Sequence, residues 1–223
     1  MEEIRRFDTI SQYNSFCNQE TLHPLVSVID FAKASPRTLR RTYYGFYMAI
    51  LKDVDCGDVR YGKNTYDYQE GTLVFLGPGQ VFGADSGDKL YQPSGHAVLF
   101  HPDLIKGTSL GRHIDDYSFF GYQSNEALHI SERERHLVID SLAKISYELG
   151  HAVDKHSRML IAGNIELLLN YCLRFYDRQF ITRDHVHRGI LEKFEKLLND
   201  FFSNKKAAEV GLPSVAYCAG KLN

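Results

Sequence analysis

The chain has 223 residues, 43% of them hydrophobic and 24% charged, with a formal net charge of −2 at pH 7. That length and apolar content suffice for one large domain or two small ones. The near-neutral balance excludes a surface that grips nucleic acid all over, because counterion release needs clustered Lys and Arg.

No apolar run approaches the roughly 20 residues needed to span a bilayer, and the opening MEEIRRFDTI lacks the apolar stretch of a secretory signal, so a cytoplasmic protein is expected. Cys17, Cys56, Cys172 and Cys218 are scattered without a C-x-x-C pair, which predicts free thiols. The acidic excess lies in residues 1–130, and residues 131–223 are slightly basic.

Residues 1–19 read as an N-terminal arm. From about residue 20 to 120 the chain is punctuated like a β domain. RTYYGFYMAILKDV (41–54) is rich in aromatic and bulky residues and is followed by turn chemistry at Cys56-Gly57-Asp58. DVRYGKNTYDY, GTLVFLGPGQVFGA and GHAVLFHPDLI follow, separated by Gly, Asp, Asn, Ser and Pro. Short strands at this spacing predict a sandwich or barrel rather than βαβ units.

At Ser131 the apolar period lengthens from two to about three and a half. Ser131 and Glu134 have the S-x-x-E spacing of a capping box, and HLVIDSLAKISYEL continues as a helix. A second helix, roughly His156 to Tyr176, carries Ile161, Ile165, Leu168, Cys172 and Phe175 at alternating steps of four and three. That stripe either packs on the chain's own barrel or forms part of a two-fold interface. A third helix is expected at roughly Asp184 to Phe202, then a polar connector. The last stretch, GLPSVAYCAGKLN, begins a helix at Pro213 with Val215, Ala219 and Leu222 on one face.

The succession YGKNTYDYQEGTLVFLGPGQV, GHAVLFHPDLI, YSFFGYQSNEALHISERE, YDRQFITR and GLPSVAYCAGKLN resembles the AraC/XylS family of bacterial transcription regulators, from about Tyr43 to the last residue. The resemblance implies a cupin-like β-barrel, a jelly roll, that senses a small effector and helps dimerise, followed by two helix-turn-helix units. PSVAYCAGKLN is similar to the first helix of the first unit. Without the recognition helix that follows in the family there is no direct base readout, so the chain reads as cut inside its DNA-binding domain.

The domain expectation is therefore an arm (1–19), an effector-binding barrel (20–120), a helical linker and dimerisation region (121–206) and the start of a helix-turn-helix (207–223). The partners expected are a second copy of the chain, a small-molecule effector and DNA through the C-terminal domain, with no membrane.

His96 and His101 lie five apart, which in a strand sends them to opposite faces, and His185 and His187 are two apart at an expected helix start. Neither pair chelates, so no metal site and no cofactor is expected. There is no G-x-S-x-G, the glycines of GPGQVFG serve turns, and Asp115-Asp116 reads as solvated loop charge; an enzyme is not expected. The alternative is a metal-dependent cupin enzyme, an isomerase or dioxygenase. A third possibility is a dimerisation module with a filled core.

The aromatic strand is the better clue. On one register Tyr44, Phe46 and Met48 face the interior, on the other Tyr43 and Tyr47; either set could line an effector pocket or simply fill the core.

Overall fold

The computed structural model describes residues 4–52, 59–61, 64–66, 71–83, 90–121, 127–152 and 154–203, together with Pro213, Cys218 and Lys221. The fold is mixed α+β. In chain order its elements begin with β1 (Arg5–Phe7), α1 (Ile10–Phe16), β2 (Val26–Asp30), β3 (Arg37–Thr38), β4 (Thr42–Tyr44), β5 (Tyr47–Lys52), β6 (Val59–Tyr61) and β7 (Asn64–Tyr66). They continue with β8 (Thr72–Leu76), β9 (Gln80–Phe82), β10 (Leu90–Tyr91), β11 (Gly95–Phe100), α2 (Pro102–Ile105), α3 (Ser109–His113), β12 (Leu128–His129), α4 (Glu132–Leu149) and α5 (Ser157–Ser203). Two compact units result, Met1–Phe175 and Tyr176–Asn223.

The framework of the first unit is a five-stranded antiparallel sheet in the order β12-β8-β5-β11-β2. Its register pairs Met48 with Leu99 on one side and with Leu76 on the other. Because strand side chains alternate, Met48, Ile50, Val74, Leu76, Ala97, Leu99 and Ile29 share one face and enter a single buried core. The opposite face carries a second aromatic cluster. Tyr47 stacks on Phe100 at 4.9 Å, and Phe75 meets Phe119 at 4.1 Å between ring centroids. Near-continuous apolar strands are what a sheet covered on both faces requires.

A smaller sheet, β1-β4-β9, and the pair β10-β3 complete the described architecture around the inner core, with β6 and β7 pairing each other. The sheets are separate: among the described residues no closed barrel forms. The run 41–54, read as one strand, is two. The chain leaves the small sheet after Tyr44 and joins the large one at Tyr47, turning where the Gly45 N–H donates to the Phe7 carbonyl at 2.9 Å.

Residues 4–19 contribute to the first unit. β1 runs parallel to β4, Arg5 opposite Thr42, and Phe7, Ile10, Tyr13 and Cys17 are buried in the core. Ile10, Tyr13 and Cys17, at steps of three and four, fall on one face of α1 and its C-cap, and Phe7 joins them from β1. Thr9 and Gln12 close a capping box at the start of α1.

The first compact unit ends at Phe175. α4 lies against β2 and buries Val138, Leu142 and Ile145, so the helical region begins within the first unit. Its start is the expected capping box, with Ser131 and Glu134 satisfying each other's backbone N–H groups. The second and third helices are one: α5 runs unbroken from Ser157 to Ser203, since Asp177 to Arg183 contains neither Pro nor Gly to stop it.

Candidate ligand-binding cleft

Between α1, the small sheet and the β3–β10 pair lies a cleft with a cavity volume of about 90 Å³. Its walls are rings: Phe7, Tyr13, Phe16, Phe31, Tyr44, Phe82 and Tyr91. Set among them are the cations Arg5, Arg37, Arg40 and Lys52. Local structure explains each position. Arg5 is held on β1, where its N–H donates to the Arg41 carbonyl at 3.0 Å, and Arg37 lies opposite Tyr91 in the β3–β10 register.

Gly83 closes the rim. Its φ of +113° is a conformation that favours glycine, and a Cβ there would lie 2.5 Å from the Arg40 carbonyl oxygen. Upstream, Gly77-Pro78-Gly79-Gln80 makes the β8–β9 turn, with proline second and Gly79 third at φ +87°, the pattern of a type II turn. The GPGQVFG glycines thus serve turns, as their setting among strands predicts. The Gly79 N–H donates to the Tyr44 carbonyl at 2.8 Å and so fastens this turn to a cleft residue.

The arginines are held by aromatic faces rather than by acids. The Arg5 and Arg37 guanidiniums lie 4.6 and 4.8 Å from the Phe16 ring centroid, and Arg37 also sits 5.6 Å from that of Phe31. Arg37 Nη1 donates to Cys17 Sγ at 3.4 Å. Burial, then the neighbouring Arg40, pushes the Arg5 guanidinium below its ordinary pKa. Burial raises the phenols of Tyr13 and Tyr44, so both stay protonated at neutral pH and act as neutral hydroxyls.

No protein-family profile matches the chain, and no curated protein matches it.

The sequence-derived residues fall in several places. Tyr44, Phe46 and Met48 all turn toward the inner core, but only Tyr44 lines the cleft; Phe46 and Met48 are fully buried behind it. Tyr47 belongs to the opposite aromatic cluster, and Tyr43 lies under the Arg6 guanidinium at 4.1 Å. Ile161, Ile165, Leu168, Cys172 and Phe175 are each at most 4% exposed, so the stripe is packed within the chain. Val215, Ala219 and Leu222 lie outside the described residues; Cys218 and Lys221 between them are helical. Cys17, Cys172 and Cys218 are free thiols and buried.

Among the described residues no three His, Cys, Asp or Glu side chains gather as a metal-holding group. His101 caps α2, its Nδ1 accepting from the Asp103 N–H at 3.2 Å, while His96 buries an Nδ1 that has no hydrogen-bond partner. His185 and His187 occur inside α5 rather than at a helix start. Among the described residues no helix is long and apolar enough to cross a membrane.

Sequence reading missed Arg5, Phe16, Arg37 and Arg40; the capping box of α1 was a local signal for the helix that carries Phe16, and none marked Arg37 or Arg40. It also missed the anchoring of α5. Arg158 donates to the carbonyls of Leu104 at 2.8 Å, Asp103 at 3.0 Å and Lys106, closing the end of α2. Tyr117 donates its hydroxyl to Asn170 at 2.8 Å, and Ser109 donates to Glu166 at 2.9 Å.

Proposed function

We propose that this chain is the effector-sensing and dimerisation region of a DNA-binding transcription regulator, with an open cupin-like jelly roll as its sensor. The observation that carries the reading is the ring-walled cleft, an apolar concavity with a few convergent polar groups set beside the filled inner core. The sequence resemblance supplies the link to transcription.

A physical route from cleft to helix supports the sensing role. Tyr44 is fastened to the Gly77–Gln80 turn; Gln80 takes the Gly77 N–H at 2.9 Å and donates to the Phe120 carbonyl at 2.7 Å. Phe120 is three residues from Tyr117, whose hydroxyl meets Asn170 on α5. A ligand that favours one arrangement of this chain of contacts over another shifts the population of α5 positions.

For the second copy, the buried stripe of α5 is replaced by an exposed row on the same helix. Leu160 and Leu167 are half-exposed at a spacing of seven, and Gly163 between them opens onto free space. Glycine at mid-helix costs roughly 0.5–1 kcal/mol relative to alanine, a cost that close helix–helix approach offsets. The sequence resemblance assigns DNA contact to helix-turn-helix units.

The test is a screen of metabolite-sized compounds for a rise in melting temperature, followed by DNA-binding measurements with and without the compounds that raise it. Compounds that stabilise the chain and alter sequence-selective binding support the reading. Stabilising compounds with no effect on DNA binding in any sequence context contradict it.

A further inference from the structure

We propose that Gln19 guards the open edge of the large sheet, its carboxamide holding the place on β2 that a strand from a second copy of the chain would otherwise take. The guard is separate from the sensing role and does not rest on it.

The large sheet ends in β12 on one side and in β2 on the other. β12 is two residues long, too short to template a partner, whereas β2 has five. The His101 N–H donates to the Leu25 carbonyl at 2.8 Å and continues the β11–β2 register, so Leu25, Ser27 and Ile29 turn their backbone groups toward β11. By alternation Val26, Val28 and Asp30 turn theirs outward, to the side on which the sheet has no further strand.

Gln19 meets that edge as a strand would. Its Nε2 donates to the Asp30 carbonyl and its Oε1 accepts from the Asp30 N–H, both at 3.2 Å. One carboxamide thereby reproduces the two-bond exchange of an antiparallel residue pair. The loop that carries it is tied down. The Gln19 N–H donates to the Asn14 carbonyl at 2.9 Å, Asn18 takes a φ of +56°, and Asn18 Nδ2 donates to Ser35 Oγ at 2.8 Å. Among the described residues nothing comparable meets the outward backbone groups of Val28.

The symmetry of β2 names a second copy as the strand kept out. Val28 is the middle residue of Val26–Asp30, so a two-fold axis through it sets Val28 against its counterpart and Val26 against Asp30. All the outward groups then pair. The arrangement also puts a β-branched pair at the centre and no like charges opposite each other, so the side chains of β2 do nothing to oppose it. With Gln19 seated, Asp30 is taken and the approach is closed.

The experiment compares the chain with the double variant Gln19→Met, Asn18→Gly, which removes both ties while keeping the length of one side chain and the left-handed backbone of the other. Leu160→Glu and Leu167→Glu are present in both proteins, so that α5 does not contribute to association. Amide exchange by NMR and sedimentation are followed from high dilution to hundreds of micromolar. Without the double variant, Asp30 should exchange slowly and Val28 faster, at every concentration. In the double variant at high dilution Asp30 should exchange roughly tenfold faster or more. On concentration Asp30 and Val28 should slow together by roughly the same factor, while the chain sediments as a dimer or larger.

Equal protection of Asp30 in the two proteins at high dilution would overturn the pairing role of Gln19. Edge amides that open but never slow again as concentration rises would overturn the guard. So would association that leaves Val28 exchanging as before. If the double variant fails to fold, Gln19→Met alone is judged by the same three results.

Discussion

The guanidinium of Arg37 lies 4.8 Å from the centroid of the Phe16 ring, a ring that also carries Arg5 at 4.6 Å. Phe16 is thus the platform that holds two cations of the cleft at fixed positions without neutralising either. Phe16→Leu keeps the apolar bulk and removes the π face. Cation–π contacts at such part-exposed sites are worth about 0.5–1 kcal/mol each, so stability should fall by about 1–2 kcal/mol in urea titrations. The Nε–H protons of Arg5 and Arg37 should exchange faster with water. Unchanged exchange would mean the ring does not hold them.

The rim of the cleft depends on a backbone that only glycine adopts freely. Gly83→Ala places a methyl group against the Arg40 carbonyl at a φ of +113°. Strain of this kind costs about 1–3 kcal/mol. The expected outcome is a lower melting temperature and weaker ligand binding together, because the 40–44 segment must move. Gly79→Ala, at φ +87° but with no heavy atom within 4 Å of its Cβ position, should lower stability without touching affinity as strongly.

Two faces of α5 make opposite predictions. Leu168→Ala empties a site only 1% exposed and should cost about 2–5 kcal/mol while leaving the association state as it was. Leu160→Glu combined with Leu167→Glu changes two half-exposed positions and should cost little stability. The same pair should convert a dimer into a monomer at tens of micromolar in sedimentation. A dimer that survives the double charge would move the interface elsewhere.

Much of this architecture was legible in the sequence. Ser131 to Glu134 announced α4, the aromatic and bulky run 41–54 announced strand, and the stripe from Ile161 to Phe175 marked the buried face of α5. What stayed hidden has physical causes. α1 is seven residues long, too short for periodicity to stand out, although Thr9 and Gln12 carry its cap. The cleft is assembled from positions between 5 and 94 by strand pairings that no local motif specifies. Tyr44 illustrates the limit: the pattern left open whether it or Tyr43 faces inward, and only packing decides that it reaches the cleft while Phe46 does not. Its contacts with Phe7, Tyr13 and Phe46 also make Tyr44→Phe a sounder probe than Tyr44→Ala, which would open a hole in the core.

Alkaline pH should destabilise the fold. The Tyr117 phenol is pushed up to about 12, chiefly by burial and then by Glu166 and Asp116, and burial raises Tyr13 and Tyr44 in the same direction. A free tyrosine titrates near about 10. Between these values the unfolded chain has lost protons that the native chain keeps, so stability falls as pH rises. The contribution is fully present below pH ~10 and is lost through about 12. Urea midpoints should hold up to about pH 9.5 and then decline, and Tyr117→Phe should soften the decline. A flat profile to pH 12 would contradict the buried-phenol assignment.

Occupancy of the cleft should be felt on α5, and hydrogen exchange measured by mass spectrometry reads that coupling. Amide protection is compared with and without a saturating cleft ligand. Changed protection is expected at β3, β4 and β9, continuing through 117–120 and into 157–175 along the Gln80, Phe120, Tyr117 and Asn170 contacts. Gln80→Ala should confine the change to the cleft strands. Changes that stop at the cleft in the unaltered chain, with α5 exchanging identically in both states, would contradict the coupling.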